Sequence, residues 1–374
     1  MFEIFRQKEI ILGFAKQINT LISQLPASRL PLSIMEVCGG HTHVLMRYGL
    51  LSLLDARLRF VHGPGCPVCV MPKLRIDHAL ALAGMPDTIL LTLADLLRVP
   101  GSSGSLQDLR AQGKAVRFVY SPLQALEIAG ANPNKQVIYF AIGFETTTPM
   151  SASLILKARE KKLNNLFIHV NHVLVPPSVR AVLRDSSIHA LIAPAHVSVI
   201  TGARIYQPLV RDFKIPIVVA GFEPVDMLES ILRILQQVYQ QEARLEIQYT
   251  RAVDMQGNVK AQALVEETMQ VRPSFEWRGL GEIAHSGMQV RPQYQDLDAE
   301  VVFAKYLPQR AHQDAHACLC GDILRGVAKP LDCALFNKTC TPTHPIGACM
   351  VSSEGACAAY YRYCLDIDSR LEYN

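Results

Sequence analysis

The chain has 374 residues, of which 49% are hydrophobic and 19% charged, enough apolar material to pack two or three domains and to exclude a mainly disordered protein. Its net charge of +4 is spread along the chain without a basic block, which argues against a nucleic-acid partner. No uncharged apolar run approaches the roughly 18 residues of a membrane span; the run near Ile89 to Leu97 is interrupted by Asp95 and followed by Arg98.

Taken in chain order, Ile11, Phe14, Ile18, Leu21, Ile22 and Leu25 recur at helical spacing and predict an amphipathic helix within 1–25, stopped by Pro26. Glu3, Arg6, Lys8 and Glu9 interrupt this segment where a secretory signal would be uniformly apolar. From Leu32 onward, short apolar runs end in Gly-, His- or Pro-bearing turns, at 34–37, 58–61, 88–93, 116–119, 137–142, 166–170, 190–192 and 217–220. Helical stretches lie between them, and this alternation predicts parallel α/β sheets. The expected division is one α/β domain over 31–118 and a second over 119–225. A third, helical and loop-rich domain is expected from 1–30 and 226–374, with helices near 225–241 and 259–269.

Ligands of open parallel sheets collect at the carboxyl ends of the strands. Cys38, His41, Cys66, Cys69, Glu145, His172, His196 and Glu223 all fall there, and a cleft between the two α/β units would bring them together. Cys38 closes a predicted strand and precedes Gly39-Gly40-His41-Thr42-His43. Two glycines permit a sharp turn, and a helix starting there favours a thiolate, which is a nucleophile and a soft metal ligand. His41 or His43 adds an imidazole as ligand or base. Cys66 and Cys69, separated by Pro67 and Val68, can close a local disulfide or offer two ligands to one metal. No second pair lies near enough for a zinc knuckle, so a redox dithiol is the favoured reading. Gly143-Phe144-Glu145-Thr146-Thr147-Thr148-Pro149 reads as a strand-to-helix turn whose threonines cap a helix or hold an anion, with Glu145 as a general base or supporting acid. It lacks the lysine and glycine spacing of a P-loop.

The ten cysteines are clustered: three early, seven from Cys318 onward, and none between. A chain of this size needs no disulfide staples, so metal or redox chemistry in a reducing, cytoplasmic compartment is expected. Cys318, Cys333, Cys340 and Cys357 supply the four thiolates of one iron–sulfur cluster, although zinc held by four thiolates satisfies the same spacing. Cys320, Cys349 and Cys364 are spare, and Cys320 or Cys349 is eligible as a ligand in place of one of the four.

Met35-Glu36-Val37-Cys38-Gly39-Gly40-His41-Thr42-His43, the Gly63–Cys69 and Gly143–Pro149 segments, and Pro194-Ala195-His196-Val197-Ser198 together resemble the HypD family of hydrogenase maturation factors. So do Trp277-Arg278-Gly279-Leu280-Gly281, Cys318-Leu319-Cys320-Gly321 and the Met350–Cys357 segment, so that the resemblance covers almost the whole chain. It implies two α/β domains around a cleft and a third domain holding a [4Fe-4S] cluster on Cys318, Cys333, Cys340 and Cys357. It also implies an iron-site thiolate at Cys38, a redox pair at Cys66 and Cys69, and a role in building the Fe(CN)2CO group of [NiFe] hydrogenases. The implied partners are a small HypC-type chaperone, HypE charged by HypF as cyanide donor, and, indirectly, the hydrogenase large subunit. Such a protein is an assembly scaffold with redox activity rather than a conventional turnover enzyme. A stand-alone iron–sulfur thiol–disulfide oxidoreductase acting on a protein partner is the alternative, and a zinc-stabilised binding module is a third.

Overall fold

The computed structural model describes residues 2–184, 186–310 and 317–364. The apolar runs become the strands β1 (Leu32–Glu36), β2 (Leu58–His62), β3 (Thr88–Thr92), β4 (Val116–Phe118), β5 (Gln136–Gly143), β6 (Leu166–His172), β7 (Ala190–Pro194) and β8 (Ile217–Ala220). A short edge strand, β9 (Leu245–Ile247), was not expected; its three residues are only partly buried and carry almost no pattern. The strands form two parallel sheets, in the orders β2-β1-β7-β8-β9 and β4-β3-β5-β6. Every residue of β3, β7 and β8 is buried, which explains their unbroken apolar sequence: helices and loops cover both faces.

The sheets do not follow the expected sequential halves. β3 and β4, within 88–118, pair with β5 and β6, whereas β7 and β8 return to lie beside β1. Alternation identifies the elements, but their partners are decided by the crossover connections, which the pattern does not encode. The amino-terminal segment also packs elsewhere than with the cysteine-rich tail. Helix Lys8–Gln24 buries Ile18 and Ile22 against Met227 and Ile231 of helix Pro224–Gln240, over Ile34, Ile192 and Val218 of the first sheet. Of the expected third domain, residues 311–316 and 365–374 lie outside the described residues. The described part contains two antiparallel ribbons, Met269–Val271 with Met288–Val290 and Ser274–Trp277 with Gly281–Ala284, and the short helix Cys320–Leu324. Its last helix, Ala356–Tyr363, packs against helix Gly39–Arg47 through Tyr360 and Met46. Among the described residues, no helix is long and apolar enough to cross a membrane.

Strand order positions the site. In the first sheet the chain goes from β1 to β2 on one side and later to β7 and β8 on the other; in the second it goes from β3 to β4, then to β5 and β6 on the opposite side. Each sheet therefore has a switch point, where diverging connections leave a crevice at the carboxyl ends. One cavity of about 350 Å³ is lined by residues that follow β2 (Gly65, Pro67, Val68), β3 (Leu93, Ala94, Asp95), β5 (Phe144, Thr146, Thr147) and β7 (His196). The expected cleft is thus shared by both sheets.

Candidate functional site

Cys38 lies just past β1 and is the N-cap of helix Gly39–Arg47, with its Sγ accepting the Gly40 N–H at 3.3 Å. Its backbone N–H donates to Glu36 Oε2 at 3.0 Å. Glu36 is buried, accepts from Thr42 Oγ1, and pairs with His62 Nδ1 at 2.6 Å; His62 Nε2 in turn meets the Tyr360 hydroxyl at 3.3 Å. Two close backbone approaches explain the glycines beside this turn. A Cβ at Gly39 would strike the carbonyl of Glu354, and one at Gly65 would strike the backbone of Val37 and Cys38. The Gly65 contact seats the next motif directly on the Cys38 turn.

In that motif Cys66 and Cys69 form a disulfide with Cα atoms 5.2 Å apart, both buried. On the other side, His196 Nδ1 is 4.0 Å from Cys38 Sγ, and its ring leans on Phe222. Burial lowers His196 to about 4, so it is a neutral imidazole at pH 7. The Cys38 thiol is pushed well above the ordinary range, first by burial and then by the charge of Glu354, against the opposing Gly40 N–H. Loss of water thus works against the thiolate that the helix start favours. His41 is fully buried, stacks on Phe222 at 4.7 Å, and holds Ala220 O through Nε2 at 3.3 Å, leaving Nδ1 without a partner. Burial lowers it to about 3. His43 instead bonds the Tyr363 hydroxyl at 2.7 Å.

Of the eight strand-end residues expected to share the cleft, His196 lines the 350 Å³ cavity; Cys38, His41, Cys66 and Cys69 are buried and are not among its lining residues, and His172, Glu223 and Glu145 lie elsewhere. His172 is buried and bonded to Ser151 Oγ at 2.8 Å. Glu223 caps helix Pro224–Gln240 and pairs with Arg6 at 2.6 Å. Glu145 lines a separate cavity of about 150 Å³.

In the tail, Cys318, Cys333, Cys340 and Cys357 are free thiols that line one small cavity with Phe336 and Met350. Burial raises Cys318 and Cys357, and the neighbouring thiols of the set raise them further. Cys320 and Cys349 line the same cavity but are joined to each other, with Cα atoms 6.3 Å apart, which removes both from the free-thiol set. Cys364 lies apart, its sulfur 4.0 Å from that of Met46. A single zinc ion with sulfurs at ~2.3 Å holds them ~4 Å apart. Among the described residues, the one group of three or more such donors lying within 4.8 Å of one another is His78, His169 and Glu300. Four free thiols on one cavity leave both sequence readings standing, an iron–sulfur cluster or a single zinc ion.

The His78, His169 and Glu300 group was not anticipated, and its hydrogen bonds explain it without a metal. Asn171 Nδ2 donates to His169 Nδ1 at 3.0 Å, which leaves His169 Nε2 to donate to His78 Nδ1 at 3.1 Å; His78 Nε2 then donates to Pro308 O at 3.0 Å. Glu300 is occupied by Arg75 and Arg272. Sequence reading also missed Glu36, His62 and Glu354. The one available signal was Glu36 itself, a charge inside an apolar strand.

A family model described as "HypD: Hydrogenase formation hypA family" matches residues 12–364. "Hydrogenase maturation factor HypD2" of Bradyrhizobium diazoefficiens is 47% identical over 368 residues, covering 96% of this chain and 95% of that protein. "Hydrogenase maturation factor HypD" of Rhodobacter capsulatus is 46% identical over 364 residues, covering 96% and 97%. The protein of that name from Escherichia coli is 42% identical over 362 residues, covering 96% of both chains. A match over nearly the full length, on a chain that seats Cys38 against the Cys66–Cys69 turn and gathers four free thiols on one cavity, leads to one conclusion: the chain belongs to the HypD family of hydrogenase maturation factors.

Proposed function

We propose that this chain, with a small HypC-type chaperone, is the scaffold on which the Fe(CN)2CO group of [NiFe] hydrogenase is assembled, the iron being held by Cys38. The observation that carries this reading is the position of Cys38 Sγ. It stands at the switch point of one sheet, 4.0 Å from the neutral His196 and against the Cys66–Cys69 turn, behind a cavity faced by the other sheet. Val68, Leu93, Ile142 and Phe144 give that cavity an apolar lining, which excludes water from an iron carrying soft ligands. His196 Nδ1 would pass the Cys38 proton on to solvent when iron arrives, since an imidazole lowered to about 4 does not keep it, and the metal charge then replaces that proton on sulfur. Glu36 fixes the Cys38 backbone so that the sulfur keeps one direction. His41, neutral and with Nδ1 unpartnered, is an imidazole acceptor three residues along from Cys38 rather than a proton store.

Cys318, Cys333, Cys340 and Cys357 would hold a [4Fe-4S] cluster, which when bound supplies electrons one at a time. The Cys66–Cys69 pair is the dithiol of the redox steps: a Cys-x-x-Cys loop opens and closes without large backbone movement. HypE, charged by HypF, is the cyanide donor in this reading, the hydrogenase large subunit is the eventual recipient, and the compartment is the cytoplasm. The Cys320–Cys349 disulfide beside the four thiols also favours the second reading, a stand-alone iron–sulfur thiol–disulfide oxidoreductase.

Infrared spectra of the complex purified anaerobically with its chaperone separate the two. CN and CO bands that vanish in Cys38→Ala while tail iron is retained support the scaffold. Equal bands in wild type and variant remove Cys38 from the iron site, and no bands in either leaves the oxidoreductase.

A further inference from the structure

Residues 349–363 are anchored in one candidate centre and rest on the other. Cys349, Met350 and Cys357 line the four-thiol cavity, whereas Ser352, Ser353 and Glu354, between them, line the cleft. The turn closes on itself: the Gly355 N–H donates to Ser352 O at 2.9 Å, and a Cβ at Gly355 would strike the Cys349 carbonyl. Its tip lies on the Cys38 turn, where the Glu354 carbonyl leaves no room for a Cβ at Gly39.

The two ends of this segment are held differently. Cys349 is joined to Cys320, so that end is tied covalently, with or without metal. Ser352 Oγ donates to Asp95 Oδ2 and Arg98 Nη2 to Val351 O, both at 2.9 Å; these bonds lie upstream of Glu354 and hold the same end. The other end is helix Ala356–Tyr363, and a helix of eight residues is not stable by itself. Its ties are Cys357 on the four-thiol cavity, Tyr360 against Met46 and His62, and the Tyr363 hydroxyl on His43 Nε2 at 2.7 Å. His43 and Met46 belong to helix Gly39–Arg47, whose N-cap is Cys38, and His62 reaches the Cys38 N–H through Glu36.

A metal bound by thiolates adds its binding free energy to the fold of the segment that carries them. Through Cys357 that free energy falls on the helical end, the end without a covalent tie. We propose that residues 349–363 form a strap, and that a metal centre on Cys318, Cys333, Cys340 and Cys357 clamps it down and keeps the Cys38 turn closed. This rests on the tail thiols holding metal, but neither on that metal being an iron–sulfur cluster rather than zinc nor on Cys38 holding iron. The coupling is reciprocal, so that whatever lifts the strap from Cys38 also loosens the tail metal.

Hydrogen–deuterium exchange of the full-length, anaerobically purified chain reads the closure, since a protected amide exchanges through even rare local openings. Cys333→Ser removes a thiolate that lies outside the strap. With the metal lost, the peptide spanning 38–47 should exchange about tenfold faster than in wild type, while helix Gln124–Ala131 of the second sheet should not change. Tyr360→Phe should speed the same peptide with iron and zinc content at the wild-type level, and adding it to Cys333→Ser should have less effect than it has alone. Gly39→Ala tests the reverse direction: its Cβ pushes on Glu354, and its tail metal should pass to a chelator about fivefold faster. Metal analysis separates two failures. Wild-type protein with neither iron nor zinc on the tail thiols overturns the metal reading and the strap with it. Metal present, with 38–47 exchange unchanged in Cys333→Ser and Tyr360→Phe, overturns the strap alone. Should Cys333→Ser unfold, seen as faster exchange in the control helix, unchanged exchange in Tyr360→Phe together with unchanged metal release in Gly39→Ala overturns it.

Discussion

At Cys38 the helix start pulls toward thiolate and burial pulls toward thiol, and burial wins. In metal-free protein this cysteine should therefore react with iodoacetamide at pH 7.5 at less than about a tenth of the rate of a simple exposed thiol. Mass spectrometry of the peptide carrying it is the measurement, and rapid labelling would restore the activated thiolate. In the tail, Cys333→Ser should lose the cluster iron, since that thiol is free and lines the four-thiol cavity, whereas Cys364→Ser should keep it. Iron analysis and absorbance of anaerobic protein decide both. These cysteines were legible because their type and clustering announce chemistry. Glu36, His62, Glu354 and the Cys320–Cys349 link were not, because each acquires its meaning from a partner in a distant segment, and spacing along the chain says nothing about that meeting.

Helix Ala356–Tyr363 carries Cys357 on the tail cavity, and three residues later Tyr360 reaches His62, Glu36 and, through them, the Cys38 N–H. One short element thus touches both candidate centres. Tyr360→Phe removes one hydroxyl from this chain of bonds and should cost about 1 kcal/mol in chemical denaturation while leaving the cluster iron intact. Loss of iron together with stability would mean that the hydroxyl holds the helix itself. Across the molecule from the cleft, Ile22→Ala should cost about 2–5 kcal/mol, because Ile22 is fully buried between two helices over the first sheet. Eight strands and the long helices were legible from apolar runs and periodicity. Which strand lies beside which was not: β1 and β7 are separated by more than 150 residues of chain, and only the folded connections decide that they pair.

For the molecule as a whole, acid sensitivity follows from its buried imidazoles. Burial lowers His41 to about 3 and His78, His172 and His196 to about 4, and it lowers His169 as well. Unfolded, each binds its proton near 6.5, so below that pH the unfolded chain holds more protons and stability falls as pH falls. Glu145 and Asp298, raised by burial to about 7 and about 6, act in the opposite sense, but they are outnumbered. The melting temperature should be nearly flat from pH 8 to 7 and drop steadily from about 6.5 to 4.5 in a pH series of thermal scans; a flat profile would mean that these histidines charge in place. The strand order has one more consequence, for synthesis. A ribosome adds about 5–20 residues per second, so β1 and β2 emerge many seconds before β7, while the whole second sheet is made in between. During that interval the apolar edge of β1 has no neighbour, and Cys38 has neither His196 nor its cleft. A nascent chain can complete the second sheet early, but the surroundings of Cys38 are assembled only once β7 and β8 have left the ribosome, after more than half of the chain has been made.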